Sequence, residues 1–243
     1  FHSQIYAHSK NVLLEKVEAI QNETKARIHE TNFLFLTLGT SYVYFLNGKS
    51  VANCHKMPLK NFTKRFLTIE EITTQFEKLY ATLQKANPEI NIILTVSPVR
   101  HTKDTLELNS ASKSILRLAC HHISEKHQKA VAYFPAYELL IDDLRDYRFY
   151  AEDLIHPNFQ AEEYIWEKFS DMFFSESTIS TNHHIEEIER GLSHRAFHPT
   201  SEEHRLFLDS LASKIKKLEN KVKTTGLLEK LALKLDTQRL ENK

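Results

Sequence analysis

Two residues, Asp153 and His156, stand three positions apart in a short polar segment and have the side chains for general acid–base chemistry. A neutral imidazole can take a proton from a hydroxyl nucleophile and return it to a leaving group. A carboxylate on the other ring nitrogen fixes the tautomer and stabilises the imidazolium. The spacing, followed by Pro157, predicts that the two side chains meet. With 8 Asp and 14 His in 243 residues, chance gives about half of one such spacing, so the pattern needs supporting context.

Further polar residues follow the ends of apolar segments. Ligands of open parallel sheets bind beyond the carboxyl ends of the strands, so these residues are candidates for binding substrate or an oxyanion. Some of them fit a structural or solvated loop equally well. A thiol nucleophile role for Cys54 is disfavoured because its neighbouring histidine would point away from it. The candidate binding residues are Gly39, Thr40, Ser41, Asn53, His55, Arg100 and His101.

The elements that must position these residues alternate along the chain. A continuous apolar run at Phe33–Leu38 is typical of a parallel strand buried on both faces. Ile90–Val96 is predicted to be a second buried strand and Ala130–Phe134 a third strand. Amphipathic helices are predicted from about Asn11 to Glu30 and from Thr68 to Lys85. A third predicted helix has one face formed by Leu108, Ser112, Ile115, Ala119 and Ile123. This alternation predicts an α/β fold with right-handed crossovers and a doubly wound parallel sheet.

The last third of the chain differs, because from about Ser175 its signals are helical only. Apolar residues there alternate in steps of three and four over about two heptads, fewer than a coiled coil needs. They are Leu208, Leu211, Ile215, Leu218 and Val222. Packing of this stripe onto the protein's own helices is favoured, and a partner helix is the alternative.

Composition excludes several classes of function. Lys+Arg and Asp+Glu both number 32, so no net charge favours nucleic acid. The chain has 4 glycines, too few for a clustered nucleotide-binding loop, so no cofactor is predicted. Gly48-Lys49-Ser50 lacks the preceding glycine of a phosphate loop, and a turn at Asn47-Gly48 after a strand is the preferred interpretation.

No metal site and no membrane span is predicted either. The histidine pairs at 121–122 and 183–184 lack zinc-type spacing and fit helix surfaces better. No apolar run approaches the length that a membrane helix needs. Two cysteines, Cys54 and Cys120, argue against a disulfide framework, so a cytoplasmic location is expected. Secretion stays open because the first residue is Phe1 and not Met.

Five ordered segments resemble the GSCFA domain family, which is similar to the SGNH/GDSL esterase superfamily. They are Thr37–Ser41, Asn53–Lys56, Thr95–His101, Tyr133–Glu138 and Asp146–Pro157. The resemblance implies a flavodoxin-like three-layer α/β/α fold, with Asp153 as the orienting acid and His156 as the general base. It also implies that Gly39, Thr40 and Ser41 form the loop that usually carries an oxyanion-directed asparagine. Ser41 stands at that position here, and Asn53 is a candidate substitute.

The sequence departs from this family at the nucleophile. It contains neither the Gly-Ser-Cys-Phe-Ala motif, whose serine aligns with the superfamily nucleophile, nor a Gly-x-Ser-x-Gly elbow. We therefore expect the first strands to be missing from this sequence and the nucleophilic serine to lie upstream of Phe1. Phe33–Leu38 would then expose an apolar face and an unpaired edge.

Three regions are predicted: an N-terminally incomplete SGNH-like α/β domain at 1–174, a helical C-terminal part of the same GSCFA-type domain at 175–222, and a helical tail at 223–243. The leading hypothesis is a serine esterase of SGNH type acting on a small-molecule or carbohydrate ester, by deacetylation or acyl transfer. The alternative is a non-catalytic carbohydrate- or acyl-binding module. A third hypothesis is an interaction protein that acts through the helical tail. No oligomeric state is predicted.

Overall fold

The computed structural model describes residues 5–52, 54, 56–194, 197–198, 200–219, 222 and 225–241. The chain divides into two compact units, Phe1–Ile165 and Trp166–Lys243. The described part of the first unit holds the β-strands, whereas that of the second is helical. All the site residues predicted from the sequence fall in the first unit.

The first unit alternates strands and helices, as predicted. Its elements are α1 (Lys10–Glu30), β1 (Phe33–Leu38), β2 (Tyr42–Leu46), β3 (Lys49–Val51), β4 (Phe62–Phe66), α2 (Ile69–Ala86), β5 (Asn91–Val96), α3 (Leu106–Lys126), β6 (Val131–Phe134), the short α4 (Ala136–Glu138) and the start of α5 (Phe159–Phe173). The beginning of α2 follows from its sequence, since Thr68 and Glu71 form a reciprocal capping box.

Strands β1, β5 and β6 form a parallel sheet in the order β1-β5-β6. Leu38 pairs with Val96, and Thr95 pairs with Phe134, so the carboxyl ends of all three strands emerge at one edge. This arrangement confirms the predicted α/β class and is consistent with a three-layer α/β/α fold. The edge is where the candidate site residues follow the strands.

The core of the first unit surrounds β5. Ile92, Leu94 and Val96 are at most 1% exposed, because helices α2 and α3 and both neighbouring strands cover them. Strand β1 differs, since its side chains alternate between half-buried and exposed, and Phe33 is 56% exposed. The prediction that β1 is buried on both faces is therefore wrong. The physical reason is that, among the described residues, only the face with Leu34, Leu36 and Leu38 packs against the core, whereas Phe33 and Phe35 on the other face are exposed.

A small antiparallel sheet in the order β3-β2-β4 follows the first parallel strand. The turn between β2 and β3 has Asn47 at φ 51° and Gly48 at φ 77°. Two consecutive positive φ angles define the type I′ hairpin turn, for which Asn-Gly is a preferred pair. The predicted turn at Asn47-Gly48 is confirmed, and it excludes a phosphate loop at this position.

The second unit contains α6 (Glu176–Ser193), α7 (Glu202–Glu219) and α8 (Thr225–Glu241). A shared core joins Ile188 and Leu192 of α6 to Leu231 and Leu235 of α8. Between them lie four members of the predicted stripe on α7, namely Leu208, Leu211, Ile215 and Leu218. The stripe thus packs onto the protein's own helices. None of the described helices is long and apolar enough to cross a membrane.

Helices α6 and α7 approach each other closely at Gly191. A Cβ atom there would lie 2.9 Å from Leu211 Cδ2 and 3.3 Å from Phe207 Cζ. Leu211 is only 2% exposed, so it has little room to move. We expect Gly191→Ala to lower the free energy of unfolding by roughly 1 kcal/mol, since overpacking outweighs the gain in helix propensity.

Urea denaturation measures this effect, and Gly226→Ala in α8 is the matched control. A Cβ atom at Gly226 would meet nothing within 4 Å, so alanine should stabilise the protein there. Equal stabilisation by both substitutions would contradict the close approach at Gly191.

Candidate functional site

The segment from Phe149 to Asn158 is a closed loop that carries Asp153 and His156. Asn158 N–H donates to Phe149 O at 3.0 Å, and Ala151 N–H donates to His156 O at 2.8 Å. Tyr150 and Pro157 form a β-bridge at its base. These bonds hold both ends of the loop together, so its two polar side chains are presented from a fixed frame.

Asp153 and His156 meet as predicted from their spacing. Asp153 Oδ2 lies 2.6 Å from His156 Nδ1, while Oδ1 accepts the backbone N–H groups of Ile155 at 2.9 Å and His156 at 3.0 Å. Bonding from the backbone and imidazole N–H groups of His156 lowers the pKa of Asp153 to about 2. The carboxylate is thus ionised at neutral pH and can hold the imidazole in one orientation. In the described chain His156 Nε2 has no hydrogen-bond partner, and the side chain is 59% exposed.

Arg100 connects this loop to the end of β5. Its backbone N–H donates to Ile155 O at 3.3 Å, and its guanidinium donates to Leu154 O at 3.3 Å and to Tyr150 OH at 2.9 Å. The guanidinium also lies 4.1 Å from the centroid of the Tyr150 ring. The sequence predicted that Arg100 binds substrate. In this structure, the N–H groups of Arg100 donate to the loop that carries Asp153 and His156.

The Gly39-Thr40-Ser41 turn is organised by Ser112 of α3. Ser112 Oγ accepts the backbone N–H of Ser41 at 2.8 Å and its hydroxyl at 3.1 Å, and lies 3.1 Å from Thr40 Oγ1. Ser41 is 1% exposed, so its hydroxyl is directed into the protein. The backbone N–H of Thr40, by contrast, makes no hydrogen bond within the described residues. This N–H and that of Gly39, which also has no partner among the described residues, are the donors of the turn that are left for a ligand.

His101 connects the turn to the segment after β5. Its ring lies against Gly39, where a Cβ atom would be 3.4 Å from His101 Nε2. Its backbone N–H donates to Asn109 Oδ1 at 2.8 Å. Burial lowers the pKa of His101, as does the charge of Lys113. Through His101 and Arg100 the segment after β5 contacts both the Gly39 turn and the Asp153 loop.

Two predicted residues, Asn53 and His55, lie outside the described residues. The antiparallel sheet begins directly after the Gly39-Thr40-Ser41 turn, at Tyr42. In this sheet, Lys64 Nζ lies 3.9 Å from the centroid of the Tyr42 ring. Lys64 also pairs with Asp104 after the β5 segment. The sheet is thereby tied to the same edge as the other site residues.

Sequence reasoning missed Asn109 and Lys113 at the N-terminal end of α3. Of the predicted face, Ser112, Ala119 and Ile123 are buried, whereas Leu108 and Ile115 are only partly buried. Leu116 and Cys120 complete the apolar part of the buried face. Extending that face toward the N-terminus gives Asn109, Ser112 and Lys113, all buried. Three polar residues on the buried face of an amphipathic helix were the available signal.

Two models of known protein families match this chain. Residues 1–169 match the family model described as "GSCFA family". The chain belongs to the GSCFA family. The GSCFA match covers the parallel sheet, α3 and the loop from Phe149 to Asn158.

A second model, described as "GSCFA domain protein, C-terminal domain", matches residues 185–237. It covers half of α6, all of α7 and most of α8. No significant match was found among curated proteins or among solved structures. The site of this GSCFA protein is therefore interpreted from its own geometry.

Proposed function

We propose that this GSCFA protein is a serine ester hydrolase or acyltransferase of SGNH type, in which Asp153 and His156 form the base. The observation that carries the proposal is the 2.6 Å contact between Asp153 Oδ2 and His156 Nδ1. A carboxylate there keeps the proton on Nδ1 and leaves the Nε2 lone pair to accept a proton. Candidate substrates are acyl esters, including acetyl groups on a carbohydrate.

The proposed reaction has two steps. His156 Nε2 takes the proton of a serine hydroxyl while its oxygen attacks the ester carbonyl, and the imidazolium then protonates the leaving alkoxide. Water, or an acceptor alcohol, then attacks the acyl-enzyme while His156 takes its proton, and the imidazolium returns that proton to the serine oxygen as the ester bond to serine breaks and the acid or new ester leaves. The backbone N–H of Thr40 is the proposed oxyanion donor at the Gly39 turn, because the Ser41 hydroxyl is occupied by Ser112.

The proposed nucleophile is a serine that precedes Phe1 in the full-length protein. A parallel strand added beside β1 would end at the same edge as β1 and β5, and its next residue would lie near the Gly39 turn. The edge of β1 supports such a neighbour, because among the described residues β1 pairs only with β5 and an apolar edge strand is normally paired or covered. A genomic sequence that encodes no serine after an apolar segment upstream of Phe1 would exclude this nucleophile.

A serine-directed fluorophosphonate probe tests the proposal on the full-length protein. We expect labelling of the wild type and its loss in His156→Ala, because the hydroxyl is weakly nucleophilic without its base. His183→Ala is the matched control, since His183 also lies three residues from a carboxylate, with Nδ1 3.6 Å from Glu186 Oε2. Labelling that survives His156→Ala would remove the base role. An unlabelled wild type would favour the non-catalytic binding module.

A further inference from the structure

Lys113 is a buried cation at the edge where the site residues meet. It lies on α3 and is 1% exposed. Its ammonium donates to Gly39 O at 2.7 Å and to Ser97 O at 2.6 Å. These two carbonyls directly follow the neighbouring strands β1 and β5, so one side chain connects the two turns.

Among the described residues, no carboxylate forms an ion pair with Lys113. The ring of Tyr137 lies 5.8 Å from Nζ. A buried charge without a partner is costly, and an amide or hydroxyl could supply hydrogen bonds without that cost. The presence of a buried cation here favours a use of the charge beyond the two hydrogen bonds.

The same turn offers a donor to a ligand. Gly39 O accepts from Lys113, and the backbone N–H of Thr40 is the next polar group along the chain. A fixed positive charge behind such an N–H favours negative charge in front of it.

We propose that Lys113 is a positioning residue that fixes the Gly39 turn against the Ser97 segment and places a positive charge behind the Thr40 N–H, so that this edge binds an anionic group. This inference deepens the proposed function, on which its catalytic consequence rests. In the proposed reaction, this anionic group is the oxyanion of the tetrahedral intermediate.

Two substitutions in the full-length protein separate the hydrogen bonds from the charge. Lys113→Gln keeps N–H donors and removes the charge, whereas Lys113→Met removes both. Amide hydrogen exchange measures the first role. We expect exchange in segments 39–42 and 97–101 to be about tenfold faster in Lys113→Met than in the wild type, the effect of losing a buried hydrogen bond. The exchange rate in Lys113→Gln should lie between those of the wild type and Lys113→Met.

NMR titration of His101 measures the charge. Lys113, Asp104 and Lys64 all act on this imidazole, and the charge of Lys113 lowers its pKa. Both substitutions should therefore raise the pKa of His101, while Lys129→Met, at an exposed lysine, should leave it unchanged. With an ester substrate, Lys113→Gln should also lower kcat by about tenfold at unchanged KM, since the charge acts on the transition state.

The results of these experiments distinguish the charge of Lys113 from its hydrogen bonds and from the proposed function. A His101 titration in Lys113→Gln identical to that of the wild type would overturn the proposal, even if exchange changes, because Lys113 would then be a structural tie only. If Lys113→Met does not fold, the titration in Lys113→Gln still decides. An inactive wild type would overturn the proposed function alone, since hydrogen exchange and titration require no turnover.

Discussion

In the full-length protein, Asp153→Asn is expected to lower kcat for an activated aryl acetate by about 10²- to 10⁴-fold. The asparagine oxygen can still accept the backbone N–H groups of Ile155 and His156, which bind Asp153 Oδ1 in the wild type. Its amide N–H₂ would then face His156 Nδ1 and donate to it. The imidazole proton would be forced onto Nε2, which could no longer accept a proton from the nucleophile.

This effect has a built-in control on the same protein. Glu186→Gln changes the carboxylate of the His183–Glu186 pair, which is also spaced by three residues, and should leave kcat unchanged. Because Asp153 acts through His156, the double variant Asp153→Asn/His156→Ala should be no slower than His156→Ala alone. An unchanged kcat in Asp153→Asn, or additive losses in the double variant, would contradict the pairing.

The second large effect is on stability. Burial lowers the pKa of Lys113 from 10.5 to about 8. Below pH 8 both the folded and the unfolded chain hold the proton, so this residue adds no pH dependence. Between about pH 8 and 10.5 the unfolded chain binds a proton that the folded chain does not, so the free energy of unfolding rises with pH. The difference between 8 and 10.5 corresponds to roughly 3 kcal/mol.

The buried thiol of Cys120 has the opposite effect on the pH dependence of the free energy of unfolding, so its contribution must be distinguished from that of Lys113. Burial raises the pKa of its thiol from 9.0 to about 12, so above pH 9 the unfolded chain loses a proton that the folded chain keeps. That lowers the free energy of unfolding as pH increases. Urea denaturation at several pH values between 7.5 and 10.5, comparing wild type with Lys113→Met, cancels the Cys120 contribution. Lys129→Met should follow the wild type; parallel curves for wild type and Lys113→Met would show that the Lys113 pKa is not lowered.

Parts of this fold could be predicted because they are encoded locally. The central strand β5 is mostly apolar, and the Asp153–His156 contact needs only three residues of spacing. The turn at Asn47-Gly48 likewise depends on the backbone freedom of two adjacent residues.

Other parts depend on contacts between distant segments and could not be predicted. Strand β4, Phe62–Phe66, has a polar centre and becomes a strand through pairing with β2. The partners of Lys113 are backbone carbonyls 74 and 16 positions away, and no side-chain pattern marks them. Exposure of β1 also depends on what lies beside it in three dimensions and not on its own composition.

The attachment of Arg100 has a consequence for motion. The loop of Asp153 and His156 is closed at its base by backbone bonds and held at Leu154 and Tyr150 by a side chain that follows β5. We therefore expect this segment to move together with the central strand. On that expectation, an opening that admits a ligand comes from other segments, and the proposed proton acceptor, His156, keeps its position relative to the sheet.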